Sequence, residues 1–192
     1  MLADEIKKYY EQEMQVIRSL DFEEIEKTVR EVIRAYEREA VIYIFGNGGS
    51  AATASHFAND FNKGISEHFG VKFHMNCLCD NIATVMAVAN DISYDEVFRF
   101  QLINRLKPQD FVIAISGSGN SRNVIRAVEY AKEIGTPVAG ISGYDGGKLK
   151  ELSDFHLHVP VSDMQITEDI HMTFDHMMYR VISGYLRAQG KG

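Results

Sequence analysis

Cysteine is nearly absent. Cys77 and Cys79 are the only two in 192 residues, too few for a disulfide framework, and two positions apart in an extended segment they would not bridge readily. No apolar run approaches the roughly 20 residues of a membrane-spanning helix. Nor is there a low-complexity tract, or a Pro/Gly/Ser linker long enough to divide the chain, so 1–192 reads as one domain. No secretory leader pattern opens the sequence. With free thiols, that gives the expectation of a reducing, cytoplasmic setting. Positive charge is in deficit: 20 Lys and Arg face 27 Asp and Glu, for a net charge of −7. That balance argues against a nucleic-acid backbone or an anionic membrane as partner. The phosphate-loop pattern GxxxxGK[ST] is missing, which leaves nucleoside-triphosphate chemistry unsupported. What remains is ordinary globular material, 45% hydrophobic and 24% charged, and long enough for a full core.

The first 39 residues predict a helical pair. One helix spans about Leu2 to Leu20, with Ile6, Tyr10, Met14 and Ile17 on one stripe. Asp21, with Glu24 three residues on, has the pattern of a capping box, and Ile25, Val29, Val32, Ile33 and Tyr36 line the second helix. Such a pair could pack on the domain or on another subunit. From Val41 onward strands and helices alternate: strands at Val41–Phe45, Val71–Leu78, Phe111–Ile115, Pro137–Ile141 and Phe155–Val159, helices at Ala51–Phe61, Ile82–Ala89, Tyr94–Leu106, Val124–Ile134 and Thr167–Ala188. Strands apolar on both faces, separated by helices, predict an α/β three-layer sandwich around a parallel sheet.

Two strand-to-helix loops stand out. In a parallel sheet both should lie at the carboxyl edge, where ligands gather. Ser116-Gly-Ser-Gly-Asn-Ser121 offers three hydroxyls within six residues at the start of a helix. Unpaired N–H groups and a partial positive charge there make a cradle for a phosphate without a lysine. A Gly/Ser turn that merely caps the helix is the competing reading. Gly46-Asn-Gly-Gly-Ser50 adds a second glycine nest at the same edge. His56 and Asp60, four apart, share a helix face. Taken alone, that pair more often makes a surface hydrogen bond than half of a metal site.

The ordered series Gly46-Asn-Gly-Gly-Ser50, His56-Phe-Ala-Asn-Asp60, Asn90-Asp91, Ser116–Ser121, Asp145-Gly-Gly147, Glu168-Asp-Ile-His171 and His176 resembles the phosphoheptose isomerases of the sugar isomerase (SIS) domain superfamily over nearly the whole length. The resemblance implies a flavodoxin-like SIS domain and a homotetramer. The implied reaction converts sedoheptulose 7-phosphate to D-glycero-D-manno-heptose 7-phosphate through an enediol. Asp60 and His176 would form the acid/base pair. Asn47, Gly48, Gly49, Ser50, Asn90, Asp91, Ser116, Ser118, Ser121 and Glu168 would hold the sugar phosphate. One zinc per subunit is expected on His56, Asp60, Glu168 and His176, two imidazoles and two carboxylates being a donor set suited to that ion. The chain departs from the family at Asp60 (usually Glu), Glu168 (usually Gln) and Gln165 (usually Asp). An isomerase of a different ketose phosphate, or a non-catalytic sugar-phosphate-binding regulator, are the alternatives.

Other polar residues invite plainer readings. His171, five before His176, faces away from it and reads as structural. His156 and His158 alternate in a strand and point to the sheet rim. Cys77 and Cys79 read as buried thiols. Met172, Met177 and Met178 suggest packing. Arg122 and Arg126 follow the serine loop closely enough to add charge near a phosphate, although solvated helix charges are the commoner outcome.

Overall fold

The computed structural model describes residues 1–191. Five parallel strands, β1 (Val41–Phe45), β2 (His74–Cys77), β3 (Phe111–Ser116), β4 (Val138–Ser142) and β5 (Phe155–His158), form one sheet in the order β2-β1-β3-β4-β5. Alternation along each strand divides the core into two layers. Ile42, Ile44, Phe111, Ile113, Ile115, Ile141 and Leu157 face one way. Tyr43, Phe45, Val112, Ala114 and Val138 face the other. Both faces are therefore buried, as the apolar strand runs required.

The first face is covered by α1 (Leu2–Arg18), α2 (Phe22–Glu37), α3 (Gly49–Asn59) and the long α9 (Met164–Ala188). Asp21 caps α2 as its sequence predicted, accepting from the Glu23 and Glu24 amides at 3.1 Å. Glu24 pairs with Lys27 instead of closing a box. The predicted stripe of α1 is only partly used. Tyr9, Val16, Ile17 and Leu20 meet the core, and the Tyr9 hydroxyl donates to Asp169 of α9 at 2.5 Å. Ile6, Tyr10 and Met14 remain about half exposed and Leu2 is 85% exposed.

After α3 the helix widens into a π-turned segment, Asp60–Ile65, before resuming as the short α4 (Ser66–Phe69). The opposite face carries α5 (Ile82–Asp91), α6 (Arg99–Leu102), α7 (Arg122–Ile134) and α8 (Gly147–Leu152). The single helix predicted for Tyr94–Leu106 is instead a 3₁₀ turn, Tyr94–Glu96, followed by α6. Glu96 is drawn into pairs with Arg99 and Arg126, Gln101 donates to the Leu78 and Val97 carbonyls, and Asn104 turns left-handed with φ of 59°. Tertiary partners outweigh helical periodicity there. The last helix starts three residues earlier than expected, because Asp163 caps it by accepting from the Gln165 and Ile166 amides. Strand β2 is shorter than the Val71–Leu78 expected. Among the described residues, no helix is long and apolar enough to cross a membrane.

Candidate active site

With strand order 2-1-3-4-5, the connections reverse direction between β1 and β3, which opens a crevice at the carboxyl ends of those strands. The two glycine-rich loops flank it. Asn47 and Asn123 exchange two amide hydrogen bonds of 2.9 Å across it, and the Tyr94 hydroxyl donates to Asn47 Oδ1 at 2.8 Å. The Asn47 side chain thus joins the first loop to the start of α7.

The serine loop is braced from behind. Its Gly119 amide donates to the Ser116 carbonyl at 2.9 Å, the Gly143 amide donates to the Gly117 carbonyl at 2.8 Å, and the Leu149 amide donates to the Gly119 carbonyl at 2.9 Å. Lys148 N also donates to Asn120 Oδ1 at 3.1 Å. Gly119 has φ of +66°, and a Cβ there would overlap the Gly146 carbonyl, so only glycine allows the two loops to touch. Ser116 Oγ donates to Ser121 Oγ at 3.0 Å. Ser121 is the N-cap of α7 but makes no side-chain capping bond. Ser118 is exposed, and its hydroxyl accepts from the Asn120 amide at 3.2 Å. These hydroxyls and the first turn of α7 form a surface suited to an anion.

A second constellation lies between α3 and α9. The two helices run side by side in the same direction: the Glu168 carboxylate sits over Gly49, about 2.7 Å from where a Cβ would be, and two turns on His56 meets His176. The imidazole Nε2 atoms of His56 and His176 are 3.3 Å apart. His56 Nε2 is 3.7 Å from Asp60 Oδ2 and 3.7 Å from Asp175 Oδ2. One donor atom from each of His56, Asp60, Asp175 and His176 falls within 4.8 Å of the others. Asp60 also accepts from Asn59 Nδ2 at 3.3 Å and stays partly exposed at 22%. Asp175 is fully buried, with neither carboxylate oxygen hydrogen-bonded among the described residues. Burial first, and Asp60 second, push its carboxyl up to about 7. His176 opens onto a groove shared with His68, Tyr179, Arg180 and Ser183, which gives solvent access to the cluster.

Of the predicted ligands, His56, Asp60 and His176 come together. Glu168 stands two turns away, at the end of α3 nearer the glycine loops, and the fourth member of the group is Asp175. Sequence reasoning missed Asp175. The available signal was an aspartate on the otherwise apolar, buried face of α9 that carries Ile166, Ile170, Phe174, Met178 and Ile182.

The remaining candidates distribute plainly. Ser50 is buried in the first turn of α3, whereas Gly48 and Gly49 are exposed beside it. Asn90 donates to Asp91 at 2.8 Å on the exposed end of α5. Arg122 and Arg126 are taken up by Asp95 and Glu96, so they brace α7 against the 3₁₀ turn. His171 is buried, 1% exposed, and burial holds its ring down to about 4, the structural role expected of it. Cys77 is buried and Cys79 half-buried, the Cys79 thiol donating to the Gly46 carbonyl at 3.3 Å.

A model of the SIS domain matches residues 7–143. The chain is 35% identical to the phosphoheptose isomerase of Aliarcobacter butzleri over 165 residues, 85% of this chain and 86% of that one. It is 39% identical to the phosphoheptose isomerase of Mycobacterium tuberculosis over 145 residues, 76% of this chain and 74% of that one. The structure of phosphoheptose isomerase from Neisseria gonorrhoeae superposes with a TM-score of 0.86 at 27% identity, covering 96% of this chain and all of that chain.

Proposed function

The chain belongs to the phosphoheptose isomerase family of SIS domain proteins and is a sugar-phosphate isomerase, and on that footing we propose that it interconverts sedoheptulose 7-phosphate and D-glycero-D-manno-heptose 7-phosphate through an enediol. The observation that carries this reading is the spacing along α3 and α9. From Gly49 to His56, and from Glu168 to Asp175, is seven residues, so the cluster lies about 10 Å along the helices from the glycine-loop end. Gly117 of the serine loop lies against Met164 at the start of α9, eleven residues and about 16 Å of helix before Asp175, so a phosphate in that loop and reacting carbons at the cluster suit a long sugar chain better than a triose.

In this mechanism the serine-loop hydroxyls and the α7 amides hold the phosphate, while Asn90, Asp91, Glu168 and the first loop hold sugar hydroxyls. The Asp60 carboxylate removes the proton from C1 of the ketose, giving the enediol, and returns it to C2. His176 carries the second proton between the C1 and C2 oxygens. Asp60 is one methylene shorter than the glutamate usual in the family. The π-turned segment beginning at Asp60 widens the backbone at this residue, and such local widenings recur at functional sites. A zinc ion fits the donor chemistry, because the buried, unpartnered Asp175 carboxylate beside two imidazoles needs a cation or a proton to offset its burial. Such an ion would be held from among His56, Asp60, Asp175 and His176 and would supply polarisation of the carbonyl, whereas the proton transfers described above are those of Asp60 and His176 free of it.

The unpartnered stripe of Leu2, Ile6, Tyr10 and Met14 on α1 supports assembly of subunits through the N-terminal helices, consistent with a homotetramer. The test is turnover of purified protein with sedoheptulose 7-phosphate. Asp60→Asn and His176→Gln should each lower kcat by at least about 100-fold while inorganic phosphate still inhibits as it does the parent. Near-normal kcat in either variant removes that residue from the acid/base pair. A parent protein that binds the sugar phosphate without turnover would be a regulator.

A further inference from the structure

Three segments that frame the crevice meet at one carboxamide. Asn47 follows β1, Asn123 lies in the first turn of α7, and Tyr94 opens the 3₁₀ turn beyond Asn90 and Asp91. Asn47 Oδ1 accepts from Asn123 Nδ2 at 2.9 Å and from the Tyr94 hydroxyl at 2.8 Å, while Asn47 Nδ2 donates to Asn123 Oδ1 at 2.9 Å. Asn123 Oδ1 also accepts from the Val124 amide at 2.9 Å. A carboxamide oxygen has two acceptor sites and its nitrogen two hydrogens. The main-chain donor at Val124 therefore fixes which end of Asn123 is oxygen, Asn123 fixes the same for Asn47, and the Tyr94 hydroxyl is left to donate. Both oxygens are then saturated, and each nitrogen keeps one hydrogen. Asn123 is only 2% exposed, so the inner bonds of this relay are shielded from competing water.

We propose that Asn123, with Tyr94 outside it, is a positioning residue for the isomerisation: it locks the Asn47 carboxamide so that its one free hydrogen is offered to an oxygen of the sugar. This inference rests on the isomerase reading above and deepens it, because it gives the Asn47 side chain a donor and no acceptor for the substrate. The relay is separate from the phosphate cradle, since the serine loop is braced from its other side by the Gly143, Lys148 and Leu149 amides. It is separate from the reacting carbons too, because the His56 cluster lies about two turns along α3 from the first loop. Loosening the relay should therefore weaken the hold on the sugar equally in the ground state and the transition state, which raises KM and spares kcat.

The test is steady-state kinetics of the full-length protein with sedoheptulose 7-phosphate, alongside inhibition by inorganic phosphate and thermal melting. Asn123→Ala should raise KM about 10-fold and Tyr94→Phe about 3-fold, with kcat and phosphate inhibition within about 2-fold of the parent. Tm should fall in Asn123→Ala but hold in Tyr94→Phe, whose ring is 55% exposed, so a KM change there is not a folding effect. In an Asn47→Ala background both substitutions should lose their effect on KM, because the group they orient is gone. An unchanged KM in either single variant overturns the proposal. So does a full effect in the Asn47→Ala background, and so does a parallel loss of phosphate inhibition, which would place Asn123 in the cradle instead. If Asn123→Ala does not fold, Tyr94→Phe, alone and with Asn47→Ala, still decides. A parent that binds the sugar phosphate without turnover refutes the isomerase and leaves the relay, read from Kd in the same variants. A parent that does neither refutes both.

Discussion

Replacing Gly119 by alanine isolates the contact between the serine loop and the Asp145–Gly147 turn. A Cβ at this position would lie 2.5 Å from the Gly146 carbonyl carbon, closer still to its oxygen, and 3.0 Å from Gly147 N. Ordinary contact begins near 3.4 Å, so the two loops must part by about 1 Å or more. The φ of +66° adds about 1–2 kcal/mol of left-handed strain for an L-residue. Parting the loops also breaks the Leu149 N–H bond to the Gly119 carbonyl, about 1 kcal/mol more. The sum, about 2–3 kcal/mol, corresponds to a fall in Tm of about 5–10 °C for a chain of this size. Because the same movement displaces the hydroxyls of Ser118 and Ser121, kcat/KM for sedoheptulose 7-phosphate should fall at least about 10-fold, and inhibition by inorganic phosphate should weaken in parallel. Gly135→Ala is the matching control. Gly135 also has positive φ, +82°, but nothing lies within 4 Å of a Cβ there. It should lose about 1–2 kcal/mol of stability from that strain alone, with KM unchanged. If Gly119→Ala kept kcat/KM within two-fold of the parent and the same phosphate inhibition, the serine loop would not be the anion cradle.

His171 should give the fold a pH signature. Its ring is held at about 4 by burial, partly opposed by the Ser142 main chain, against an ordinary value near 6.5, so the unfolded chain binds one more proton between those limits. Stability should therefore decline as pH falls from about 6.5 to 4, by up to about 3 kcal/mol from this residue. Urea melts of the parent and His171→Leu at pH 5 and 7.5 should differ in that slope, and parallel slopes would remove His171 as its source. Asp110, 3% exposed, accepts from the Val41 amide at 3.1 Å and the Lys107 amide at 2.9 Å. Asp110→Ala leaves a strand-leading donor unmatched and should cost about 2–3 kcal/mol in chemical denaturation. A loss under 0.5 kcal/mol would mean that water replaces the carboxylate.

The strand-and-helix alternation was legible because the strands are apolar runs ended by glycine and the helices carry apolar faces. The 3₁₀ turn at Tyr94–Glu96 was not, since it is enforced by Glu96, Arg99, Arg126 and Gln101, partners that periodicity does not encode. In the site, the spacing of His56 and Asp60 gave a shared helix face and the composition of the serine loop a set of hydroxyls at a helix start, but only the family resemblance marked either as functional. Asp175 was hidden for a geometric reason. Consecutive helical residues point about 100° apart, so Asp175 and His176 look divergent on paper. They meet the same ring only because α3 passes along α9 and presents His56 between them. Glu168 was assigned to the ion by analogy, and its two-turn offset became visible only when Gly49 was seen beneath it.

The placement of Asp175 and His176 on α9, after all five strands, has a consequence for biosynthesis. Translation runs from the N-terminus, and domains assemble as they emerge. The sheet and both loops are synthesised before the helix that supplies half of the cluster. Because α9 also contributes Ile166, Ile170, Phe174, Met178 and Ile182 to the core, and its first turn backs the serine loop at Gly117, the chain should complete its fold, and with it the His56 cluster, only after this last helix has been made.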